Sequence, residues 1–304
     1  MRIVIIGAGA IGSLYGGWLL AGGGDVAFVA RGPRFDQLHV NGLSISGARN
    51  LALANLTVAR GTDDLPPADV LIFAVKLYDL KSAARAAVGA LAADGLVVGL
   101  QNGVDAAQML GEVFGPAQVM AGPVYSAATL NADGSVRYGG LRNDLVIGSV
   151  GGKAHPHAHK LVEYWRTAGI DASISDDIQL TLWNKFLALA TNAALTCLSR
   201  QSAGVVYGDP LLLDLARRSI AEIAAVGRAE GVRFSPDAEQ EAMTFLQSLP
   251  PDVVASMRQD LDAGRRLELE GISGTVVRLG AKHGIATPVH DVAYACLKPF
   301  VDGG

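Results

Sequence analysis

The sequence predicts a two-part α/β protein: a doubly wound parallel sheet followed by an all-helical half. Three observations carry that expectation. The chain opens on the apolar run Ile3, Val4, Ile5 and Ile6, which leads into a glycine-rich turn and then a helical segment. Apolar strands alternate with helical segments as far as residue 175. From Asp176 onward helix follows helix, with no convincing strand. A strand apolar on both faces belongs inside a parallel sheet covered by helices, and strand–helix alternation builds such a sheet. Residues 1–175 are therefore expected as the first domain and residues 176–304 as the second.

The first turn reads Gly7-Ala8-Gly9-Ala10-Ile11-Gly12. Gly7 permits the bend, Gly9 lets the backbone approach a pyrophosphate, and Gly12 lets the next helix pack against the strand. The free N–H groups at the start of that helix then face the phosphates. Set between strand and helix, these six residues predict a Rossmann-like dinucleotide-binding domain. After a helix over 13–21 and a triple-glycine turn, Asp25–Ala30 reads as the second strand. An NAD site places an acid at the end of this strand. Here Arg31 stands there, followed by Gly32, Pro33 and Arg34. A carboxylate would repel a 2′-phosphate, whereas a guanidinium binds it through paired charged hydrogen bonds. The expected cofactor is NADP(H).

Residues 35–41 then read as a helix and 43–58 as a hairpin region. Residues 68–75 form a buried strand whose end delivers Lys76, and 78–92 read as a helix. Gly95–Leu100 is the next strand, delivering Gln101-Asn102-Gly103. Ligands of open α/β sheets bind beyond the carboxyl ends of the strands, so Arg31, Lys76 and Asn102 converge on one crevice. Strands are further expected at 119–128, 135–138 and 145–147, with a turn at 131–134, a helix over 160–168 and an extended stretch over 170–175.

Composition narrows the class. A chain of 304 residues, half of them hydrophobic and 18% charged, has ample capacity for buried cores and excludes extended disorder. A formal net charge of −4 gives no general attraction for nucleic acid. No apolar stretch is long enough to cross a membrane, and the apolar N-terminus fits a strand better than a signal peptide. Cys197 and Cys296 lie far apart in apolar helical patterns, as core residues of a cytoplasmic protein would. No Cys/His spacing resembles a metal site; His155, His157 and His159 read as solvated.

The helix from Ile178 to Leu198 carries the most informative charge. It is almost wholly apolar after Lys185. Helices apolar all round are buried, and a buried lysine needs a partner or a task. Lys185, Asn192 and Thr196 share one face at helical spacing. Two readings stand: a lysine lining a cleft, or one that snorkels outward or pairs with a carboxylate.

Together these residues resemble the ketopantoate reductases, within the wider group of 6-phosphogluconate-dehydrogenase-like enzymes. The resemblance rests on the glycine turn, Arg31, Val75-Lys76, Gln101-Asn102-Gly103, Trp183-Asn184-Lys185-Phe186, and Ser256-Met-Arg-Gln-Asp260 with Glu268 twelve residues after the serine. The ending His283-Gly-Ile-Ala-Thr287-Pro288, with Tyr294 and Leu297-Lys298, extends it. The resemblance implies NADPH-dependent reduction of a 2-oxo acid, ketopantoate, in pantothenate biosynthesis. It implies Lys185 as proton donor, Glu268 holding Lys185 and a substrate hydroxyl, and Ser256 binding the substrate carboxylate. Asn102 would stand beside nicotinamide and substrate, with Arg31 and Lys76 at the phosphate and ribose. Asn102 and Glu268 are counted among the residues touching the cofactor. Glu270, two residues on, competes for the role of Glu268, since both could pair with Arg265 and Arg266; Ser256 competes with a plain helix-capping role.

The chain also departs from the family. Leu189 and Ala193 stand where substrate-contacting asparagines are usual, Tyr138 where histidine is common, and Ser273 where asparagine is common. Asn192, on the lysine's face, is the candidate replacement in substrate binding. Three functions stay open: a ketopantoate reductase, a reductase of another branched 2-oxo acid by the same mechanism, or a non-catalytic NADP(H)-binding regulator. The apolar helices leave room for a homodimer through the second domain.

Overall fold

The computed structural model describes residues 1–140 and 144–303. It divides into two compact units: residues 1–102 with 106–178, and residues 103–105 with 179–304.

In the first unit the chain runs β1 (Arg2–Ile6), α1 (Ala10–Ala21), β2 (Asp25–Val29), α2 (Pro33–Asn41), β3 (Leu43–Gly47), β4 (Leu51–Leu53), β5 (Thr57–Ala59), β6 (Ala68–Phe73), α3 (Leu77–Ala86) and β7 (Leu91–Gly99). It continues through α4 (Ala106–Phe114), β8 (Val119–Ala121), β9 (Ala128–Leu130), β10 (Val136–Tyr138), β11 (Asp144–Ile147), α5 (Pro156–Thr167) and β12 (Asp171–Ile174). Six strands form a parallel sheet in the order β5-β2-β1-β6-β7-β8. The apolar run pairs on both sides, Ile3 opposite Val26 and Val70. Ile3, Ile5, Val70, Ile72 and Val98 are fully buried, each stabilising the fold by about 1.5–3 kcal/mol. A four-stranded sheet, β4-β3-β10-β9, and the pair β11-β12 complete the unit.

Several boundaries differ from those expected. The helix over 78–92 stops at Ala86, and Leu91 already belongs to β7, pairing with Ala68 of β6. The alanines there favour helix locally, but tertiary pairing overrides so weak a preference. The strand over 119–128 breaks after Ala121 at Gly122-Pro123, where proline cannot donate to a ladder. Only β3 and β4 of the 43–58 region form a hairpin; β5 crosses to the main sheet beside β2. His155 is not a plain solvated residue: its Nδ1 accepts the backbone N–H of His157 at 3.3 Å, capping α5. Cys197 is buried, whereas Cys296 is exposed and not a core residue.

The second unit is built from α6 (Ile178–Ser199), α7 (Ala203–Val206), α8 (Pro210–Ala229), α9 (Ala238–Gln247), α10 (Ser256–Asp262), α11 (Ser273–His283) and α12 (Pro288–Leu297). Its core contains Phe186, Leu187, Leu195, Ile223, Leu269 and Val276. Asp209 starts α8 by accepting the N–H groups of Leu211 and Leu212 at 2.9 and 3.0 Å, with Pro210 at the first helical position. A buried polar chain runs through this core. Thr191 Oγ1 lies 2.8 Å from Ser219 Oγ, which lies 2.9 Å from His290 Nε2, and His290 Nδ1 lies 3.3 Å from Ser273 Oγ. Burial pushes the His290 imidazole down to about 4, so it is held neutral. Glu222 accepts the N–H groups of Val289 and His290 at the start of α12.

The segment Gly103–Asp105 belongs to this unit: Val104 packs against its core, and Asp105 ties it to α11. Asp105 accepts a hydrogen bond from Thr275 Oγ1 at 2.6 Å and two from Arg278 Nη2 at 2.9 and 2.8 Å.

Candidate active site

In the first unit the glycine turn follows β1. Gly7 has φ +97°, and a Cβ on it would lie 2.7 Å from Val75 Cγ1; a Cβ on Gly12 would lie 2.1 Å from the Gly7 carbonyl oxygen. Both are glycine because the chain leaves no room. Gly9 is different. Its backbone is ordinary, at φ −71° and ψ −159°, and a Cβ on it would meet nothing within 4 Å. Neither conformation nor packing within the protein requires glycine there. The requirement fits a group brought in from outside, and the free N–H groups at the start of α1 suit a pyrophosphate. Ala8 is buried, and Ala10 and Ile11 open α1 half-buried. The residues present therefore fit a dinucleotide.

Arg31 follows β2, exposed, with no hydrogen-bond or carboxylate partner among the described residues. Arg34, three residues on, is fully engaged. Its Nε donates to the Ala8 carbonyl at 2.7 Å, Nη2 to Ser13 Oγ at 2.7 Å, and Nη1 to the Gly134 carbonyl at 2.6 Å. Ser13 Oγ donates to the same Ala8 carbonyl at 3.0 Å. Arg34 thus braces the glycine turn from behind, and its burial draws the guanidinium below its usual range. The sequence gives it no task, because its partners, two backbone carbonyls and the Ser13 hydroxyl, lie far off in the chain. Lys76 stands between β6 and α3, immediately before the helix and half-buried, and Asn102, also half-buried, follows β7.

In the second unit Lys185 lies on α6 between Trp183 and Phe186, whose rings meet edge to face at 5.7 Å. Lys185, Leu189 and Asn192 are half-buried along one face, while Ala193 is buried. Asn192 Oδ1 accepts the Tyr207 hydroxyl at 2.9 Å. Thr196 leaves the expected polar stripe: it is fully buried and donates to the Asn192 carbonyl at 2.6 Å. Ser256 is exposed and opens α10.

Burial separates the two glutamates. Glu268 is buried between Leu267 and Leu269, at the start of a 3-10 turn over Leu269–Gly271. Glu270 is exposed and bonded to Tyr294 and Lys298. The arginines also have other partners: Arg265 binds Asp260 at 2.8 Å, and Arg266 lies 3.7 Å from Asp302. Tyr138 packs edge to face on Trp18 at 5.0 Å, in the core of the first unit. Among the described residues no three His, Cys, Asp or Glu side chains cluster as a metal site, and no helix is long and apolar enough to cross a membrane.

Comparison with known proteins gives the family. The family model described as "Ketopantoate reductase PanE/ApbA" matches residues 3–152, and "Ketopantoate reductase PanE/ApbA C terminal" matches residues 177–301. The chain belongs to the ketopantoate reductase family. It is 32% identical to the 2-dehydropantoate 2-reductase of Archaeoglobus fulgidus, covering 95% of this chain and 94% of that one. It is 30% identical to the Mycobacterium tuberculosis 2-dehydropantoate 2-reductase, over 99% and 98%. The crystal structure of a PanE/ApbA family ketopantoate reductase from Ralstonia eutropha JMP134 superposes with a TM-score of 0.90 at 30% identity, covering 99% and 98%. The protein is thus an oxidoreductase of a dinucleotide-dependent family, acting on a small molecule.

Proposed function

We propose that this reductase converts ketopantoate to pantoate with NADPH, the first unit binding the nucleotide and the second supplying the proton donor. The observation that carries the reading is Lys185, a half-buried ammonium and the one charged residue of α6, in a chain of this family. NADPH over NADH is supported by Arg31, exposed and unpartnered among the described residues, where an acid would bind ribose hydroxyls. Gly7, Ala8, Gly9, Ala10, Ile11 and Gly12 hold the pyrophosphate, and Lys76 the phosphate and ribose region.

When bound, the nicotinamide supplies the hydride. Electrons of the C=O π bond collect on the keto oxygen as C2 is reduced. Lys185 stabilises that developing charge and gives the oxygen a proton from Nζ, yielding the 2-hydroxy acid. Lys185 then regains its proton from solvent. Glu268, buried at 8% exposure, holds the ammonium and a substrate hydroxyl. The Ser256 hydroxyl takes the substrate carboxylate, Asn102 stands by nicotinamide and substrate, and Asn192 contributes its amide to the substrate.

A second reading, reduction of another branched 2-oxo acid, is favoured by Leu189 and Ala193 in place of the usual asparagines. An apolar wall lacks the hydrogen bonds by which a site selects a hydroxylated substrate. NADPH oxidation across a panel of 2-oxo acids tests both: the highest kcat/KM with ketopantoate supports the first reading, with 2-oxoisovalerate or a bulkier acid the second. No oxidation with any acid overturns both. A homodimer through the helical unit belongs to the same proposal. Exposed Leu211 on α8 and Phe245 on α9 support it, and light scattering tests it.

A further inference from the structure

Gln101 carries a carboxamide to which the mechanism above gives no task. It follows β7 and is 5% exposed. Its Nε2 donates twice, to the Phe73 carbonyl at 2.9 Å and to the Val75 carbonyl at 3.1 Å. Two carbonyl acceptors fix which end of the amide is nitrogen, an assignment often open for glutamine. The oxygen, Oε1, is consequently buried without any hydrogen-bond partner. An orphaned buried acceptor works against folding. Space for it exists because residue 99 is glycine: a Cβ there would lie 3.0 Å from Oε1.

Strand pairing does not need this side chain. The Leu100 N–H already bonds the Phe73 carbonyl at 2.9 Å, closing the β6–β7 ladder at this level. A hydrocarbon of similar length would fill the space and remove the buried orphan oxygen, giving up only the bond to the part-buried Val75 carbonyl. What only the amide does is grip the Val75 carbonyl, one residue before Lys76, from the residue next to Asn102. Features kept against stability concentrate where function requires them.

We propose that Gln101 is a positioning residue, its carboxamide setting the backbone on which Lys76 and Asn102 stand, so that it governs cofactor affinity and not fold stability. The inference rests on the reading that Lys76 contacts the nucleotide. Gln101→Leu and Gln101→Met remove the donors and the orphan together. Both variants are expected to melt at or above the Tm of the parent. Both are expected to raise the NADPH Kd about tenfold, of the order of one weakened charged contact. In a Lys76→Ala background, Gln101→Leu should raise Kd by clearly less than in the parent, the remainder acting through Asn102, because residues acting through a shared contact are not additive.

A lowered Tm with unchanged Kd, or fully additive effects with Lys76→Ala, overturns the proposal, as does failure of both variants to fold. Lys76→Ala with undiminished NADPH affinity removes the underlying reading of Lys76 itself. Lys76→Ala weakened, with both Gln101 variants binding normally, removes only the role of Gln101.

Discussion

The two units present their candidate side chains on different supports. In the first, Arg31, Lys76 and Asn102 follow the carboxyl ends of β2, β6 and β7, strands of one parallel sheet, and strand order alone places them together. In the second, Lys185, Asn192 and Glu268 stand on a long helix and a short turn, where packing chooses the face. A strand end fixes a position; a helix fixes only a direction. The same contrast recurs within three residues at the end of β2. Arg31 is exposed and unpartnered among the described residues, whereas Arg34 spends its donors on Ala8, Ser13 and Gly134.

The sharpest break of this comparison is Lys185→Ala. It should lower kcat by about a hundredfold or more, the share of a positioned general acid, while NADPH titrations remain unchanged. Near-normal turnover would leave the helical unit without its proton donor. Next in size is Arg31→Glu, expected to weaken NADPH binding about tenfold or more and NADH binding little, as loss of one charged contact implies. Arg34→Ala should instead weaken both cofactors alike, because it acts through the shape of the turn that meets the shared pyrophosphate. Equal losses from both substitutions would erase the distinction between the two arginines.

Acid should find the helical unit's weak point. His290 is held neutral at about 4, against about 6.5 in an unfolded chain. The unfolded state therefore binds more protons, and stability falls as pH drops from about 6.5 towards 4, by about 2 kcal/mol at pH 5. Glu222, raised by burial, acts in the opposite sense, so the imidazole is isolated by comparison with His290→Asn. Denaturation midpoints from pH 7 to 4.5 should converge less steeply in the variant; parallel curves would refute the assignment. Smallest is Leu189→Asn, expected to raise the kcat/KM ratio of ketopantoate over 2-oxoisovalerate by several-fold, within the roughly 1–3 kcal/mol of such discriminations. No change would mean that Asn192 already recognises the hydroxyl.

Most of the first unit is legible in the sequence, because its signals are local. An unbroken apolar strand, a glycine turn and the next helix announce themselves within sixteen residues. Legibility fails where long-range pairing overrules local preference, as at Leu91, whose alanine-rich surroundings favour helix until β6 claims it. It fails again where spacing cannot rank neighbours. Glu268 and Glu270 differ only once the fold buries the first and Lys298 takes the second. Arg34 and Gln101 stayed silent for one reason: both act on backbone carbonyls, which every residue possesses. Thr196 matched the polar stripe by number but turned its hydroxyl back on its own helix.

The three residues Gly103–Asp105 bear on how this protein can be taken apart. They belong to the helical unit, although the sequence around them belongs to the sheet. A fragment beginning at residue 179 would lack Asp105 and leave the Thr275 hydroxyl and the Arg278 guanidinium without that acceptor. Gly103 has no substitute there either: φ is +91°, and a Cβ would stand 2.8 Å from the Gly271 carbonyl oxygen. The units are thus not interchangeable cassettes. Recombination with a relative preserves this strap only if residues 103–105 come from the same parent as α11, so a single crossover near residue 178 divides what the fold treats as one piece.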